Sequence, residues 1–184
     1  SFSKKPASLC DIYINDAFSC SHRKQASVHK IAKFAKKSYA GPLLKKELDA
    51  IEKIFENKKK PVTCIIGGSK ISTKINIILN LIKKIDNLII VGAMANNFLK
   101  FKNYSIGKSL VEENTKKIIQ DIYNYANKEN CEVVIPEDCK VGIDLLSEGE
   151  NKNLEDIADK DLILDIGPKT IRKIFDKIDI SKTI

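Results

Sequence analysis

The sequence predicts an α/β fold, an open parallel sheet flanked by helices, because strand-like runs alternate with helical ones. Three times a short apolar run ends in glycine and a segment of helical periodicity follows. Val62-Thr-Cys-Ile-Ile66 leads to Gly67 and Gly68, and Leu88-Ile-Ile-Val91 leads to Gly92. Leu162-Ile-Leu-Asp-Ile166 leads to Gly167 and Pro168. Unbroken β-branched runs read as strands covered on both faces. Strands alternating with helices imply βαβ units and a parallel sheet.

Taken in chain order, Asp11–Asn15 alternates like a strand and runs into a loop over residues 16–25. Leu44, Leu48, Ile51 and Phe55 form an apolar stripe on a helix over residues 43–57, which the stretch from Asn57 to Pro61 breaks. Behind the first glycine pair, Ile71, Ile75, Ile78, Ile82 and Ile85 make a second stripe. Ile118, Ile119, Ile122 and Ala126 mark a helix before a further strand, Glu132–Ile135. Ile171, Ile174, Phe175 and Ile178 complete the pattern. No internal repeat or low-complexity segment interrupts it. The 43–57 helix is the natural boundary between a small N-terminal portion and a larger α/β unit.

A chain of 184 residues with 43% hydrophobic content can bury a real core. Its longest apolar run, Leu88–Ala95, contains a glycine and is too short to span a bilayer. The opening Ser-Phe-Ser-Lys-Lys-Pro is not a signal peptide, and the missing initiator Met implies further sequence upstream. Five widely spaced cysteines, no C-x-x-C pair and two histidines argue against a zinc site and a disulfide framework. They favour a reducing cytoplasm, with Cys64 and Cys131 as small core residues. The net charge of +8 invites a nucleic-acid reading. Against it, Arg23 and Arg172 are the only arginines among 32 basic residues, and no basic cluster is interleaved with aromatics.

Ligands of open parallel sheets bind beyond the carboxyl ends of the strands. The segments expected there are Gly-Gly-Ser-Lys70, Gly92-Ala-Met-Ala-Asn96 and Asp165-Ile-Gly-Pro-Lys169. In Ile65-Ile-Gly-Gly-Ser-Lys-Ile-Ser-Thr-Lys74, the two glycines let backbone approach a ligand closely. A helix beginning near Ser72 would offer free N–H groups to an anion, with Lys70 and Lys74 one turn apart on the same side. Two ammonium groups at a helix start suit a polyphosphate, although from these residues alone a tight turn with surface lysines is the better reading. The P-loop pattern G-x-x-x-x-G-K-[ST] is absent.

Several motifs, in one order and spacing, resemble the phosphoglycerate kinase family. They are Asn15-Asp-Ala-Phe-Ser-Cys-Ser-His-Arg23, Ala40-Gly-Pro-Leu-Leu-Lys-Lys-Glu-Leu48 and Gly67-Gly-Ser-Lys-Ile-Ser-Thr-Lys74. Gly92-Ala-Met-Ala-Asn-Asn-Phe-Leu99, Ile106-Gly-Lys-Ser-Leu110 and Leu164-Asp-Ile-Gly-Pro-Lys-Thr170 follow. The resemblance implies a Rossmann-like α/β fold that is incomplete relative to the family's two lobes. Residues 1–39 would be the end of the phosphoglycerate lobe, 40–58 the interlobe helix, and 59–184 the first part of the nucleotide lobe. It further implies that His22 and Arg23 contact phosphoglycerate, where a planar guanidinium suits paired hydrogen bonds to an anion. Lys70 would follow the transferring phosphoryl group and Lys74 the nucleotide phosphate. Gly67, Gly68, Gly92, Ala93 and Leu110 would line the nucleotide pocket. Val91 and Ala93 depart from the family's usual glycines and are expected to crowd the adenine.

The implied reaction passes a phosphoryl group between 1,3-bisphosphoglycerate with ADP and 3-phosphoglycerate with ATP, the nucleotide carrying Mg2+. Family members are about twice as long and generally monomeric. The remaining phosphoglycerate-binding arginines, the Asn-Gly-Pro segment, the adenosine-binding Glu and the Gly-Gly-Gly-Asp loop are not found here. Pro6 falls where the family has a helix. The expectation is therefore a kinase segment inactive alone, possessing half of each site. The alternatives are a non-catalytic remnant that binds nucleotide weakly or serves as an interaction module, and, least favoured, a Lys-rich nucleic-acid binder.

Overall fold

Short strands and the helices that follow them are joined first by hydrogen bonds at their ends. In the computed structural model, which describes residues 2–56 and 58–184 and the side chains of all of these but 54–56, the chain forms two compact units, Ser1–Asn57 and Lys58–Ile184. In the first unit, β1 (Ile12–Asn15) pairs in parallel with β2 (Lys37–Ala40), Ile12 opposite Lys37 and Asn15 opposite Ala40. The expected strand at 11–15 is β1; β2, Lys-Ser-Tyr-Ala and exposed throughout, has no apolar signature. Pro6 lies in the single turn of α1 (Lys4–Ala7), where its missing N–H removes no helical bond.

The helix expected over 43–57 is α2 (Pro42–Glu56). Its start is fixed by Asp16, whose carboxylate accepts the Leu44 N–H at 2.8 Å, while Gly41 donates its N–H to the Asn15 carbonyl at 2.7 Å. A Cβ on Gly41 would fall 2.3 Å from Asp16 Cγ, so glycine is required for the carboxylate to reach the helix. Of the expected stripe, Leu44 is half-buried and Leu48 and Ile51 are exposed; the Phe55 side chain and Asn57 lie outside the described residues. Among the described apolar residues of this unit only Ala7 and Ile31 are buried, so its hydrophobic core is slight.

The second unit is built on three parallel strands in the order β3 (Thr63–Ile66), β4 (Asn87–Ile90), β5 (Glu132–Val134). One face packs on α3 (Ile75–Ile82), α4 (Ala93–Phe101) and α5 (Lys116–Lys128) through Leu88, Ile90, Ile78, Met94, Phe98 and Ile122. Each such side chain, fully removed from water, stabilises the fold by roughly 1.5–3 kcal/mol. On the other face Ile89 and Val134 meet Ile174 of α6 (Pro168–Ile180). Burial on both faces explains the unbroken apolar run of β4. On β3, Ile65 stands opposite Ile89 in register but is 42% exposed against 1%, so α6 leaves that side of the sheet open. Thr183 makes an isolated parallel bridge to Val62 on the same strand's edge. The expected stripes overran their helices: Ile71 and Ile85 are buried although outside α3, while Ile171 and Phe175 on α6 are exposed.

The third apolar run corrects one expectation. It forms β8 (Leu162–Ile166), which stays out of the parallel sheet and pairs antiparallel with β6 (Asp138–Gly142), itself antiparallel to β7 (Glu150–Asn153). The hairpin strands β6 and β7 read Asp-Cys-Lys-Val-Gly and Glu-Asn-Lys-Asn, too polar for the run-of-apolar signal that found the others. The α/β class stands, with a small antiparallel sheet added. Helix α6 is then anchored by Asp138, whose carboxylate accepts the N–H groups of Lys169 (2.9 Å) and Thr170 (2.8 Å) and the Thr170 hydroxyl (2.7 Å).

Burial alone would push the Asp138 pKa up, but hydrogen bonds from the Thr170 hydroxyl and the Lys169 and Thr170 N–H groups, with the Lys169 charge, hold it below the usual carboxylate value. A depressed folded pKa contributes stability above the unfolded value, near 4, that is lost as pH falls through the folded pKa. Asp138→Asn is therefore expected to cost about 2 kcal/mol at pH 7. Its deficit relative to wild type should shrink in urea titrations below pH 4.

Candidate functional site

Parallel pairing of β3 with β4 brings two glycine-bearing strand ends to one edge. The register Ile66 opposite Ile90 continues with Val91 N–H donating to the Ile66 carbonyl at 3.0 Å. The Met94 N–H, in the first turn of α4, donates to the Gly68 carbonyl at 2.6 Å. Gly68 (φ 137°) and Gly92 (φ 65°) both occupy positive-φ backbone, which favours glycine. A Cβ on Gly92 would lie 3.6 Å from the Gly68 nitrogen. Two bare backbone segments thus run side by side.

The lysines emerge at the same edge, though not on one helix. Helix α3 begins at Ile75, three residues later than expected, with Lys74 as its N-cap residue and Lys70 in the irregular segment before it. The reason lies in Glu112, whose carboxylate accepts the Ser72 N–H at 3.1 Å and the Ser72 hydroxyl, tying the turn to a distant loop. Lys74 reaches back over the glycines, its Nζ 2.6 Å from where a Gly68 Cβ would be. The Ser72 hydroxyl and N–H, the Ile71 N–H and the Lys70 charge together hold the Glu112 carboxyl below its usual pKa.

Beside Gly92 opens a cavity of about 230 Å³. Gly92, Ala93 and Leu110 line it, as do Asn96, Leu145 and the residues of β8. Its walls are chiefly aliphatic, as a flat heterocycle requires. Val91 does not line it; its side chain packs with Ile89, Val134 and Ile174, so the expected crowding is confined to Ala93. Leu110 is placed by three contacts on which its Gly-Lys-Ser motif depends. Gly107 (φ 53°) has no room for a Cβ, which would fall 2.1 Å from the Asp161 carbonyl oxygen. The Ile163 N–H donates to Ser109 Oγ at 2.8 Å, and Asn96 Nδ2 donates to the Leu110 carbonyl at 2.9 Å. A larger cleft of about 540 Å³ lies among Lys100, Phe101, Asn103 and Lys116, but none of the glycines, Lys70, Lys74 or Leu110 borders it.

His22 and Arg23 belong to the other unit, in the loop after a short 3-10 turn at Phe18–Cys20. Both are exposed, and neither side chain makes a hydrogen bond or ion pair among the described residues. All five cysteines are free. Burial pushes the Cys131 thiol up to about 11 and Cys139 to about 12, so neither supplies a thiolate near neutral pH. Among the described residues no group of three or more His, Cys, Asp or Glu could hold a metal ion. Lys74 Nζ, beside Gly68, is a cation suited to an anion, while the Ser72 N–H and hydroxyl are already taken by Glu112.

Sequence reasoning quoted Asn96 and Asn97 without giving them a role, and passed over Glu112 and Leu145. Two adjacent amides on a helix otherwise of apolar core residues were the available signal, since buried amides need partners. Asn97 is buried; its Oδ1 accepts the Glu112 N–H at 2.9 Å and the Thr115 hydroxyl at 3.4 Å, binding the 110–115 loop to α4.

Comparison with known proteins gives one family. The family model for phosphoglycerate kinase matches residues 1–184. The phosphoglycerate kinase of Wolbachia pipientis subsp. Culex pipiens (strain wPip) is 48% identical over the whole chain, and that of Legionella pneumophila (strain Paris) is 41% identical over 98% of it. The structure of phosphoglycerate kinase from Coxiella burnetii superposes with a TM-score of 0.85 at 39% identity, covering 99% of this chain. The chain spans about half the length of each: 46% of the two curated relatives and 47% of the solved one.

Asn97→Ala should lower the unfolding free energy by about 1–3 kcal/mol, because it strands the Glu112 N–H and the Thr115 hydroxyl. Urea unfolding of wild type and variant measures the difference; equal midpoints would show that the loop is held by other means.

Proposed function

The chain belongs to the phosphoglycerate kinase family, and from that membership we propose that its Lys58–Ile184 unit binds the adenine nucleotide of the family's phosphoryl transfer. The apposition of Gly68 and Gly92, with Lys74 over one glycine and an apolar cavity beside the other, carries this reading. In the proposed arrangement the adenosine lies in the cavity against Gly92, Ala93 and Leu110, and its phosphates run along Gly67 and Gly68 toward Lys74. Lys70 accompanies the moving phosphoryl group. Transfer breaks the bond between phosphorus and the carboxyl oxygen of 1,3-bisphosphoglycerate and forms one to a terminal oxygen of ADP. Such chemistry needs in-line placement and neutralised equatorial oxygens more than an acid or base, which is the work a fixed ammonium performs.

His22 and Arg23 are proposed as part of the phosphoglycerate site, with exposed side chains free to meet a carboxylate and a phosphate. For the Mg2+ that accompanies the family's nucleotide, the described residues offer no group of three or more His, Cys, Asp or Glu. We place this work in the cytoplasm and in a monomer, in keeping with the family.

A second reading, nucleotide binding without turnover, is favoured by the open outer face at Ile65 and the slight core of the first unit. Under it, residues 1–184 hold nucleotide weakly or serve as an interaction module, and show no turnover even when the rest of a family member is supplied.

Calorimetric titration of the chain with ADP should show binding that Ala93→Phe weakens at least about tenfold by filling the cavity. In a full-length family member carrying this segment, Lys70→Ala should lower kcat by ~10²–10³, by analogy with the loss of one oxyanion donor. ADP binding unaffected by Ala93→Phe, or full turnover without Lys70, would refute the assignment.

A further inference from the structure

The two parts of the proposed nucleotide site come from segments far apart in the chain, and one side chain joins them. The base cavity is walled by Leu110, held to α4 through its own carbonyl by Asn96. The phosphate side is the Gly67–Lys74 segment, which has no regular secondary structure before α3. Such a segment would otherwise sample many conformations and carry Lys70 with it. Glu112, two residues after Leu110, bridges the two. Its N–H donates to the buried Asn97 Oδ1 of α4 at 2.9 Å, and its carboxylate accepts the Ser72 N–H at 3.1 Å and the Ser72 hydroxyl. The Thr115 hydroxyl shares Asn97 Oδ1, so the loop is pinned on both sides of Glu112.

We propose that Glu112 is a positioning residue of the nucleotide site, fixing the Lys70 segment at a set distance from the wall that Leu110 gives the base cavity. The inference rests on the nucleotide reading above. Three features single out this residue. It is fixed at its backbone, so its carboxylate is an anchor and not a swinging arm. It takes both the N–H and the hydroxyl of one residue, a two-point attachment that fixes orientation as well as distance. The Lys70 charge, finally, is near enough to act on the same carboxylate.

The geometry separates contact from placement. Glu112 would touch neither base nor phosphate, so its loss should weaken ligands that span both parts of the site and spare those that fill only the cavity. Gln at this position can accept the Ser72 N–H through its carbonyl and donate to the Ser72 hydroxyl through its amide. It therefore keeps the placement without the charge.

The test uses the whole chain, titrated with ADP and separately with adenosine, together with amide exchange in the absence of ligand. Glu112→Ala should speed exchange at Ile71 and Ser72 about tenfold or more while leaving Leu99 and Ile119 unchanged. It should weaken ADP about five- to tenfold and leave adenosine unaltered, and Glu112→Gln should restore ADP to within about twofold. Unchanged exchange at Ser72 would overturn the proposal, as would a parallel loss of ADP and adenosine in Glu112→Ala. A wild-type chain that binds neither ligand would instead sink the nucleotide reading, and this inference with it.

Discussion

The register of β3 against β4 is the constraint on which the rest depends. Because Thr63 pairs with Asn87 and Ile66 with Ile90, the two glycine-bearing ends finish level with one another. A slip of one residue would turn every side chain of β3 to the opposite face and separate Gly68 from Gly92. Such a slip would take Cys64 and Ile66 away from the core against which they pack and turn Ile65 toward it. The site is thus a by-product of the core: hydrophobic burial sets the register, and the register sets the edge where bare backbone, a lysine and an apolar cavity meet.

A second device recurs along the chain. Two helices begin Gly-Pro, α2 at Gly41-Pro42 and α6 at Gly167-Pro168, and each is capped by an aspartate distant in sequence, Asp16 just after β1 and Asp138 in β6. In both, a Cβ on the glycine would fall 2.3 Å from the aspartate Cγ, on Asp16 in one case and Asp138 in the other. The turn before α3 uses the same idea with Glu112 and the Ser72 N–H. A carboxylate at a helix start satisfies free N–H groups and the positive end of the dipole. Here it also staples remote segments together. One consequence is that the N-terminus of α6 is already filled by Asp138, while Asp165 and Ile166 just before it line the cavity beside Gly92.

These devices mark what the sequence could and could not reveal. The strands β3, β4 and β5 were legible from their apolar, β-branched runs, although only β4 is buried on both faces. The helices α2, α3, α5 and α6 were legible from their stripes, to within a few residues. Helix α3 started late because Glu112 holds Ser72 outside the helix, a tertiary bond that no local pattern announces. Strands β2, β6 and β7 were missed because their residues are polar, and β8 was assigned to the wrong sheet because an apolar run says nothing of its partner. At the site, glycines and lysines were found by type and spacing. Asn97, Glu112 and Leu145 act through contacts across long stretches of chain, which spacing cannot show. The chain spans about half of its relatives, and an exposed Ile65 opposite a buried Ile89 is the physical trace of a sheet face left open.

The central claim is that the adjoining ends of β3 and β4 form the nucleotide site. Backbone amide shifts of the uniformly labelled 184-residue chain, followed by NMR as ADP is added, address it most directly. Perturbations should concentrate at Gly67, Gly68, Lys74, Gly92, Ala93 and Leu110, saturating together. Shifts gathered instead around Asn103 and Lys116 in the larger cleft, with the glycine edge silent, would contradict it.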